Sequence, residues 1–172
     1  MRNFENFIKI AYQNFKSPEE LYKYINSNIS YDDTPPDKWR LKTPEIVKET
    51  RKGNCHDQAQ FLKYELDKMG RKNGTLSFIE YNKKSNKGGR THSLSYYKDG
   101  RKVYWLENAW GDQQGIHGPY RSLRKLKSEI KKIHKREPQA KEYNKIKFWQ
   151  PYPKSGMTLN EYVETMNRKH QK

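Results

Sequence analysis

The dipeptide Asp99-Gly100 stands between two segments rich in aromatic, β-branched and alternating residues, 91–97 and 102–108. Asp-Gly in this setting is among the strongest short signals for a β-hairpin with a two-residue turn. A third segment of the same character, 75–81, precedes them. The three segments predict a small antiparallel sheet.

A helix is predicted to begin directly after Asn54. Asn54 can cap the N-terminus, Asp57 lies in the first turn, and Gly70 can end the helix. The apolar stripe of this helix consists of Cys55, Ala59, Leu62 and Leu66. Cys55 is therefore predicted to lie in the first turn of a helix that packs on the core.

Further helices are predicted on the N-terminal side. Apolar residues at helical spacing over 4–15 indicate one helix, and Ser17 followed by Pro18 indicates the start of a second. Thr43 and Pro44 have the pattern of a short third helix that ends near residue 53.

The C-terminal third is predicted to be helical at both ends. Residues 122–136 repeat Leu and Ile at helical spacing with Lys and Arg between them, which is typical of an amphipathic basic helix. Residues 143–152 predict a strand or an extended arm. Thr158 and Glu161 resemble a capping box for a final short helix.

The chain of 172 residues suits one α+β domain over 1–172. Within it we expect N-terminal helices over 1–38, a core over 39–120, and a basic helix with a C-terminal extension over 121–172. The expected architecture is a cysteine-bearing helix packed on a small antiparallel sheet, with helices at its flanks.

The formal net charge of +16 predicts attraction to polyanions or acidic proteins. The single cysteine excludes an intrachain disulfide and suits a reducing compartment. The opening segment alternates apolar and polar residues, and no apolar run is long enough to span a bilayer. We therefore expect a soluble, cytoplasmic protein without a membrane partner.

The lone cysteine has two interpretations. A free cysteine commonly packs as a small apolar residue. The first turn of a helix, however, lowers the pKa of a thiol because unpaired N–H groups and the helix dipole favour negative charge there. This position favours a nucleophilic role for Cys55.

A cysteine nucleophile needs an imidazole for proton transfer. The chain has five histidines. His56 is predicted to point elsewhere because adjacent helix residues are about 100° apart, and His134 and His170 lie among basic residues. His92 and His117 remain as candidates.

The hairpin brings an acid to His92. If Asp99 and Gly100 are the central turn residues, His92 lies directly opposite Glu107, with Cβ atoms roughly 5 Å apart. Asn108 would then point to the opposite face, but a β-bulge at the strand end could exchange Glu107 for Asn108 as the group that orients the imidazole.

The same register predicts an apolar floor on the His92 face. This floor pairs Leu94 with Trp105 and Tyr96 with Val103, and we expect the cysteine helix to pack on it.

Several motifs together resemble the transglutaminase-like superfamily, which has a papain-like cysteine enzyme fold, and loosely a small bacterial and phage branch of it. The motifs are Trp39, 42–45, 53–58, 91–93, 105–110 and 115–117. In that family a cysteine opens a helix packed on an antiparallel sheet, a histidine follows on one strand and an acid on the next. Two positions depart from the family pattern: Glu107-Asn108 stands for Asp-Pro, and Ser93 for Trp or Val.

The resemblance implies a Cys55, His92 and Glu107 triad that acts on an amide or acyl bond of a protein or peptide, by hydrolysis or acyl transfer. No cofactor is implied. It also makes Trp39 the candidate oxyanion donor beside the backbone N–H of Cys55. The candidate residues lining the cleft are Gln58, Trp105, Trp110 and His117, of which Gln58 could equally extend the helix surface and His117 could lie in a turn.

Three alternatives remain open. A metal site built from Cys55, His56, His92 and His117 would have no established zinc spacing. The crowded Lys and Arg residues of 121–136 could bind nucleic acid or an acidic protein, or could form a solvated helix face. A catalytically inactive binding module of the same fold is the third alternative.

Overall fold

A computed structural model describes residues 14–85 and 87–167, and its architecture is mixed α+β as predicted. The five described α-helices are α1 Pro18–Asn28, α2 Pro44–Thr50, α3 Cys55–Lys68, α4 Leu123–Arg136 and α5 Leu159–Glu164. The strands are β1 Ser30–Tyr31, β2 Lys52–Gly53, β3 Asn73–Tyr81, β4 Gly88–Asp99, β5 Lys102–Glu107, β6 Gly115–Tyr120 and β7 Lys145–Trp149. The predicted helix over 4–15 lies outside the described residues except at its end, where Phe15 is buried, and His170 also lies outside them.

The main sheet is antiparallel and has the strand order β6-β5-β4-β3-β7. A separate short parallel pair joins β1 to β2, immediately before α3. Strand β7 comes from the C-terminal extension and pairs with β3, so residues 121–172 contribute directly to the sheet. Among the described residues, no helix combines the length and the apolar character needed to cross a bilayer.

Helix α3 begins at Cys55, as predicted. The side chain of Asn54 accepts hydrogen bonds from the backbone N–H groups of His56 and Asp57, at 2.9 and 3.2 Å. Asp57 accepts in return from the backbone N–H of Asn54, which completes a capping box. Beyond the helix, Gly70 has a φ of 68°, a left-handed conformation that favours glycine.

The register predicted for the β4–β5 hairpin is wrong by two residues. Asp99 pairs with Lys102, so the turn consists of Gly100 and Arg101. Gly100 alone has a positive φ, 55°, as expected for the first central residue of a type II′ turn. Because the shift is an even number, each side chain keeps its predicted face although its cross-strand partner changes.

The predicted packing of the two sheet faces is also wrong. The face with Leu94 and Trp105 packs against the basic helix α4 through Leu126 and Ile130. Helix α3 packs on the opposite face, where the core includes Phe61, Leu62, Leu66, Tyr97 and Leu106. Both faces of the hairpin carry apolar residues, so alternation alone could not assign each helix to its face.

The predicted elements of the C-terminal third are present, but one strand before them was missed. Helix α4 and the capping box of α5, formed by Thr158 and Glu161, are confirmed. The strand option for 143–152 is confirmed by β7. Strand β6 was not predicted, because the glycines and the proline of its sequence GIHGPY are typical of turns.

Candidate active site

Cys55 lies at the N-terminus of α3, and only 6% of its surface is exposed. The pairing between β4 and β5 ends at Ser95 and Leu106. His92, which also lies in β4, is therefore beyond the paired region. A small cavity at this end of the ladder is lined by Cys55, Leu106 and Glu107, among others. Cys55 and His92 both line a second cavity, so the thiol and the imidazole lie close together where β4 and β5 are no longer paired.

The predicted contact between His92 and Glu107 is present. The Nε2 atom of His92 lies 2.7 Å from Oε2 of Glu107, and Glu107 is 2% exposed. The other carboxylate oxygen accepts a hydrogen bond from the backbone N–H of Ala109 at 2.8 Å. Because Nε2 faces Glu107, Nδ1 is the ring nitrogen left for the thiol. The contact forms although the two residues are not directly opposed, because both project from the same face near the end of the ladder.

The pKa values of this site favour a thiolate and an imidazolium. Burial alone would raise the pKa of the Cys55 thiol, but electrostatic interactions with His56 and His92 outweigh burial and lower the pKa to about 5. Burial likewise opposes charge on His92, but Glu107 and Cys55 raise its pKa to about 10. Between these two values the charged pair is the stable form.

His56 does not point away from the site, contrary to the prediction. Its Nδ1 atom lies 2.7 Å from the hydroxyl of Ser93 and its Nε2 atom 3.1 Å from that of Thr91. The ring also packs on Tyr162, with a centroid distance of 4.5 Å. The side chains of Cys55 and His56 leave α3 in different directions, because adjacent helix residues are about 100° apart around the axis. The imidazole of His56 nevertheless lies close enough to lower the pKa of the thiol.

Asn108, the alternative orienting residue, has partners other than His92. Its amide donates to Oε1 of Gln58 at 2.9 Å, and its oxygen accepts from Asn26 at 3.0 Å. Gln58 in turn donates to the carbonyl of Gly53 at 2.7 Å and is 2% exposed. Gln58 is thus buried beneath the thiol, neither on the helix surface nor at the open side of the cleft.

Trp39, the predicted oxyanion donor, uses its one N–H elsewhere. Nε1 donates to Oδ2 of Asp57 at 3.0 Å, and the indole is buried. Asp57 also accepts from the backbone N–H groups of Lys42 and Asn54, at 2.9 and 3.1 Å. Trp39 therefore helps to hold the start of α3, and this geometry contradicts the prediction that its N–H serves an oxyanion.

Two further cavities border Cys55. The smaller, about 120 Å³, also has His92, Phe78 and Trp110 in its wall, so the structure places Trp110 beside the thiol and the imidazole. The larger, about 370 Å³, is lined on its outer side by residues of 31–36. The rings of Trp110 and His92 are 5.2 Å apart.

Trp105 and His117 do not line either cavity. Trp105 is fully buried in the core against α4, and the ring of His117 stacks on it at 4.3 Å. The Nε2 atom of His117 lies 2.7 Å from the carbonyl oxygen of Gln113. The two predictions for cleft residues are therefore wrong, because strand β6 carries His117 onto the α4 face of the sheet.

Two residues that border both cavities, Tyr31 and Arg90, were not predicted from any sequence pattern. Arg90 forms ion pairs with the carboxylates of Glu80 and Glu137, at 3.0 and 2.8 Å. Glu137 also accepts from Nε1 of Trp110 at 2.5 Å, which fixes one wall of the smaller cavity. Only the assembled fold brings these residues together.

Chemically, the site combines a thiol of lowered pKa, an imidazole that can donate and accept a proton, and a buried carboxylate, with cavities beside the sulfur. Within the described residues, no group of three or more His, Cys, Asp and Glu side chains is arranged to hold a metal ion. The sequence matches no protein-family model, and a search among curated proteins finds no match.

Proposed function

We propose that the protein is a cysteine enzyme of the transglutaminase-like type, with a papain-like arrangement of helix and sheet, that acts on an amide or acyl bond. The proposal depends above all on one observation: His92 contacts Glu107 at 2.7 Å and interacts with a thiol at the start of a helix. A cysteine, an imidazole and an orienting acid in this order are sufficient for nucleophilic catalysis.

In the proposed reaction, the Cys55 thiolate attacks a carbonyl carbon and the carbonyl electron pair moves to the oxygen. The backbone N–H of Cys55, in the first turn of α3, donates to this oxyanion. When the tetrahedral intermediate collapses, His92 gives its Nδ1 proton to the departing amine and a thioester remains. Water or an amine then attacks the thioester, His92 accepts the proton of the attacking group, and the thiolate is released.

The substrate class that suits this site is a protein or peptide. The larger cavity of about 370 Å³ is bordered by the segment from Tyr31 to Pro36, so an extended chain has room beside the sulfur. Hydrolysis and acyl transfer share all steps up to the thioester and differ only in the group that attacks it.

A direct test uses dimethylcasein with a fluorescent primary amine. Incorporated amine reports acyl transfer, released ammonia reports deamidation, and new N-termini report peptide hydrolysis. We expect at least one of these reactions in the wild type and its loss in Cys55→Ala and His92→Ala.

The matched control is His117→Ala, which removes a half-buried histidine of the same sheet outside both cavities. This variant should keep the activity of the wild type. A wild-type rate no higher than that of Cys55→Ala, in all three assays, contradicts the proposal.

A second candidate function, binding of a polyanion such as nucleic acid, is favoured by one surface feature. The ammonium groups of Lys127 and Lys131 lie 5.7 and 5.9 Å from the ring centroid of Phe148. Burial and the neighbouring charge of Lys131 lower the pKa of Lys127, so two like charges are held close together. A phosphate group would relieve this repulsion, and an aromatic ring beside basic residues is typical of single-strand binding surfaces.

Nucleic-acid binding predicts a steep loss of affinity with salt. Fluorescence anisotropy with a labelled single-stranded oligonucleotide, between 50 and 300 mM salt, measures it. Lys127→Gln combined with Lys131→Gln should weaken binding and reduce the salt slope, whereas absence of binding at low salt removes this candidate.

A further inference from the structure

Tyr31 is held beside the nucleophile by the short parallel pair of β1 and β2. Tyr31 pairs with Gly53, two residues before Cys55, and Ser30 donates its backbone N–H to Arg51 at 2.9 Å. Tyr31 borders both cavities beside the thiol. Its ring position is therefore tied to the backbone that leads into the first turn of α3.

Three other side-chain donors around the thiol are already used. The N–H of Trp39 donates to Asp57, the amide of Gln58 donates to Gly53, and the hydroxyl of Thr91 is bonded to His56. Within residues 14–85 and 87–167, the hydroxyl of Tyr31 makes no hydrogen bond with the rest of the chain. It is the hydroxyl donor that remains available at the junction of the two cavities.

The electrostatic surroundings keep this hydroxyl protonated. Tyr31 is 49% exposed, and the partial burial of its phenol, followed by the negative charges of Cys55, Asp33 and Asp32, raises the pKa of Tyr31 to about 12. Tyr31 and Cys55 line the same two cavities, so the phenol lies beside the sulfur. At neutral pH the side chain is thus a hydrogen-bond donor and not an acceptor alone.

We propose that the hydroxyl of Tyr31 is the second oxyanion donor of the site, beside the backbone N–H of Cys55; this inference rests on the function proposed above. As the thiolate forms its bond to the carbonyl carbon, the displaced electron pair resides on the oxygen and accepts a hydrogen bond from Tyr31. Tyr31 keeps its proton throughout. When the carbonyl re-forms and the bond to the leaving group breaks, that group takes its proton from His92.

The test compares two reactions of the same thiol in Tyr31→Phe. Acylation by p-nitrophenyl acetate passes through a tetrahedral oxyanion, whereas alkylation by iodoacetamide does not. We expect the acylation rate to fall about 10²-fold, the effect typical of one lost oxyanion donor. The alkylation rate at the same pH should change less than about twofold, because the thiolate itself remains.

The matched control is Tyr64→Phe, which removes an exposed hydroxyl on the outer side of α3, bordering a different cavity. It should leave both rates unchanged. Thermal unfolding of each variant verifies the fold, which Tyr31→Phe should retain because the lost hydroxyl has no partner within the described chain.

The outcomes separate this inference from the proposed function. Equal acylation of wild type and Tyr31→Phe overturns the role of Tyr31 and leaves the cysteine enzyme standing. Parallel losses of acylation and alkylation overturn it too, since they show an effect on the thiolate. A wild type that is alkylated at low pH but is acylated no faster than Cys55→Ala contradicts the proposed function itself.

Discussion

Both carboxylate oxygens of Glu107 have a hydrogen-bond partner in the site. One contacts His92 and the other accepts the backbone N–H of Ala109. The second bond fixes the carboxylate, so that its charge acts at a defined position on the imidazole. The ion pair of Cys55 and His92 depends on this charge, because burial on its own opposes both charged forms.

Glu107→Gln should therefore disturb the thiol without changing the shape of the site. The loss of negative charge lowers the pKa of His92 and, through the weaker imidazolium, raises the pKa of Cys55. We expect the alkylation rate at pH 6 to fall about tenfold, which corresponds to a rise of the thiol pKa from about 5 to about 7. Iodoacetamide labelling followed by mass spectrometry measures this rate.

Glu129→Gln is the matched control, because Glu129 pairs with Lys132 on the outside of α4. It should leave the alkylation rate at the wild-type value. If Glu107→Gln behaves like Glu129→Gln, Glu107 does not support the charged pair.

Single residues were predictable where their signal is local. Asn54 and Asp57 form a capping box, and both residue types are typical of these positions at a helix start, which also predicts Cys55 in the first turn. The contact of His92 with Glu107 was reached through a register that is wrong, and it survives because a shift of two residues preserves the face. Tyr31 could not be found, since its approach to Cys55 depends on a two-residue strand pair.

At the scale of elements, the start of α3 stabilises the local fold and also positions the thiol of the site. The cap of Asn54 and Asp57 determines where the first turn begins, and Trp39 and Lys42 donate to the same carboxylate of Asp57. The first turn holds the thiol where the backbone N–H groups are unpaired. The precise start of this helix therefore sets the electrostatics of the nucleophile.

Asn54→Ala should remove this cap and cost about 1 kcal/mol of the free energy of unfolding, measured by urea denaturation. It should also slow alkylation of Cys55, because the first turn frays beside the thiol. Ser122→Ala removes the cap of α4, where the side chain accepts from Lys125 at 3.3 Å. Its cost in stability should be similar, with no effect on alkylation; an equal effect of both on alkylation would contradict a local role for the α3 cap.

Helices and strands could be predicted where their apolar residues follow one spacing, the helical one in α3 and α4 and the alternating one in the hairpin strands. The assignment of helices to sheet faces was not, because residues 94–97 and 103–106 bury side chains on both faces. Such strands carry no alternation that distinguishes one side from the other. Strand β6 is defined by its pairing with β5 and not by its composition.

At the scale of the whole molecule, a charge network ties the sheet to α4 beside the cleft. Glu80 of β3 is 1% exposed and lies against Arg90 of β4 at 3.0 Å and His134 of α4 at 3.3 Å. Arg90 continues the network to Glu137, which holds Trp110. Partners separated by up to 54 residues in the chain, as Glu80 and His134 are, cannot be paired from the sequence alone.

Arg90→Met should destabilise the protein by about 2 kcal/mol, because it leaves the buried carboxylate of Glu80 without its arginine. The value is below that of a fully buried pair, since the guanidinium side chain is 58% exposed. Lys87→Met breaks the exposed pair with Glu142 and should leave the free energy of unfolding almost unchanged, because water screens exposed ion pairs. Equal midpoints of urea denaturation for both variants would show that the network does not stabilise the fold.

The measurement that tests the central claim most directly is the pH dependence of alkylation at Cys55, the only cysteine of the chain. The thiolate that reacts with iodoacetamide is predicted to appear with an apparent pKa of about 5. His92→Ala should move this value towards that of an ordinary thiol. A wild-type profile that rises only near pH 8.5, as for an unperturbed cysteine, and that does not respond to His92→Ala contradicts the account.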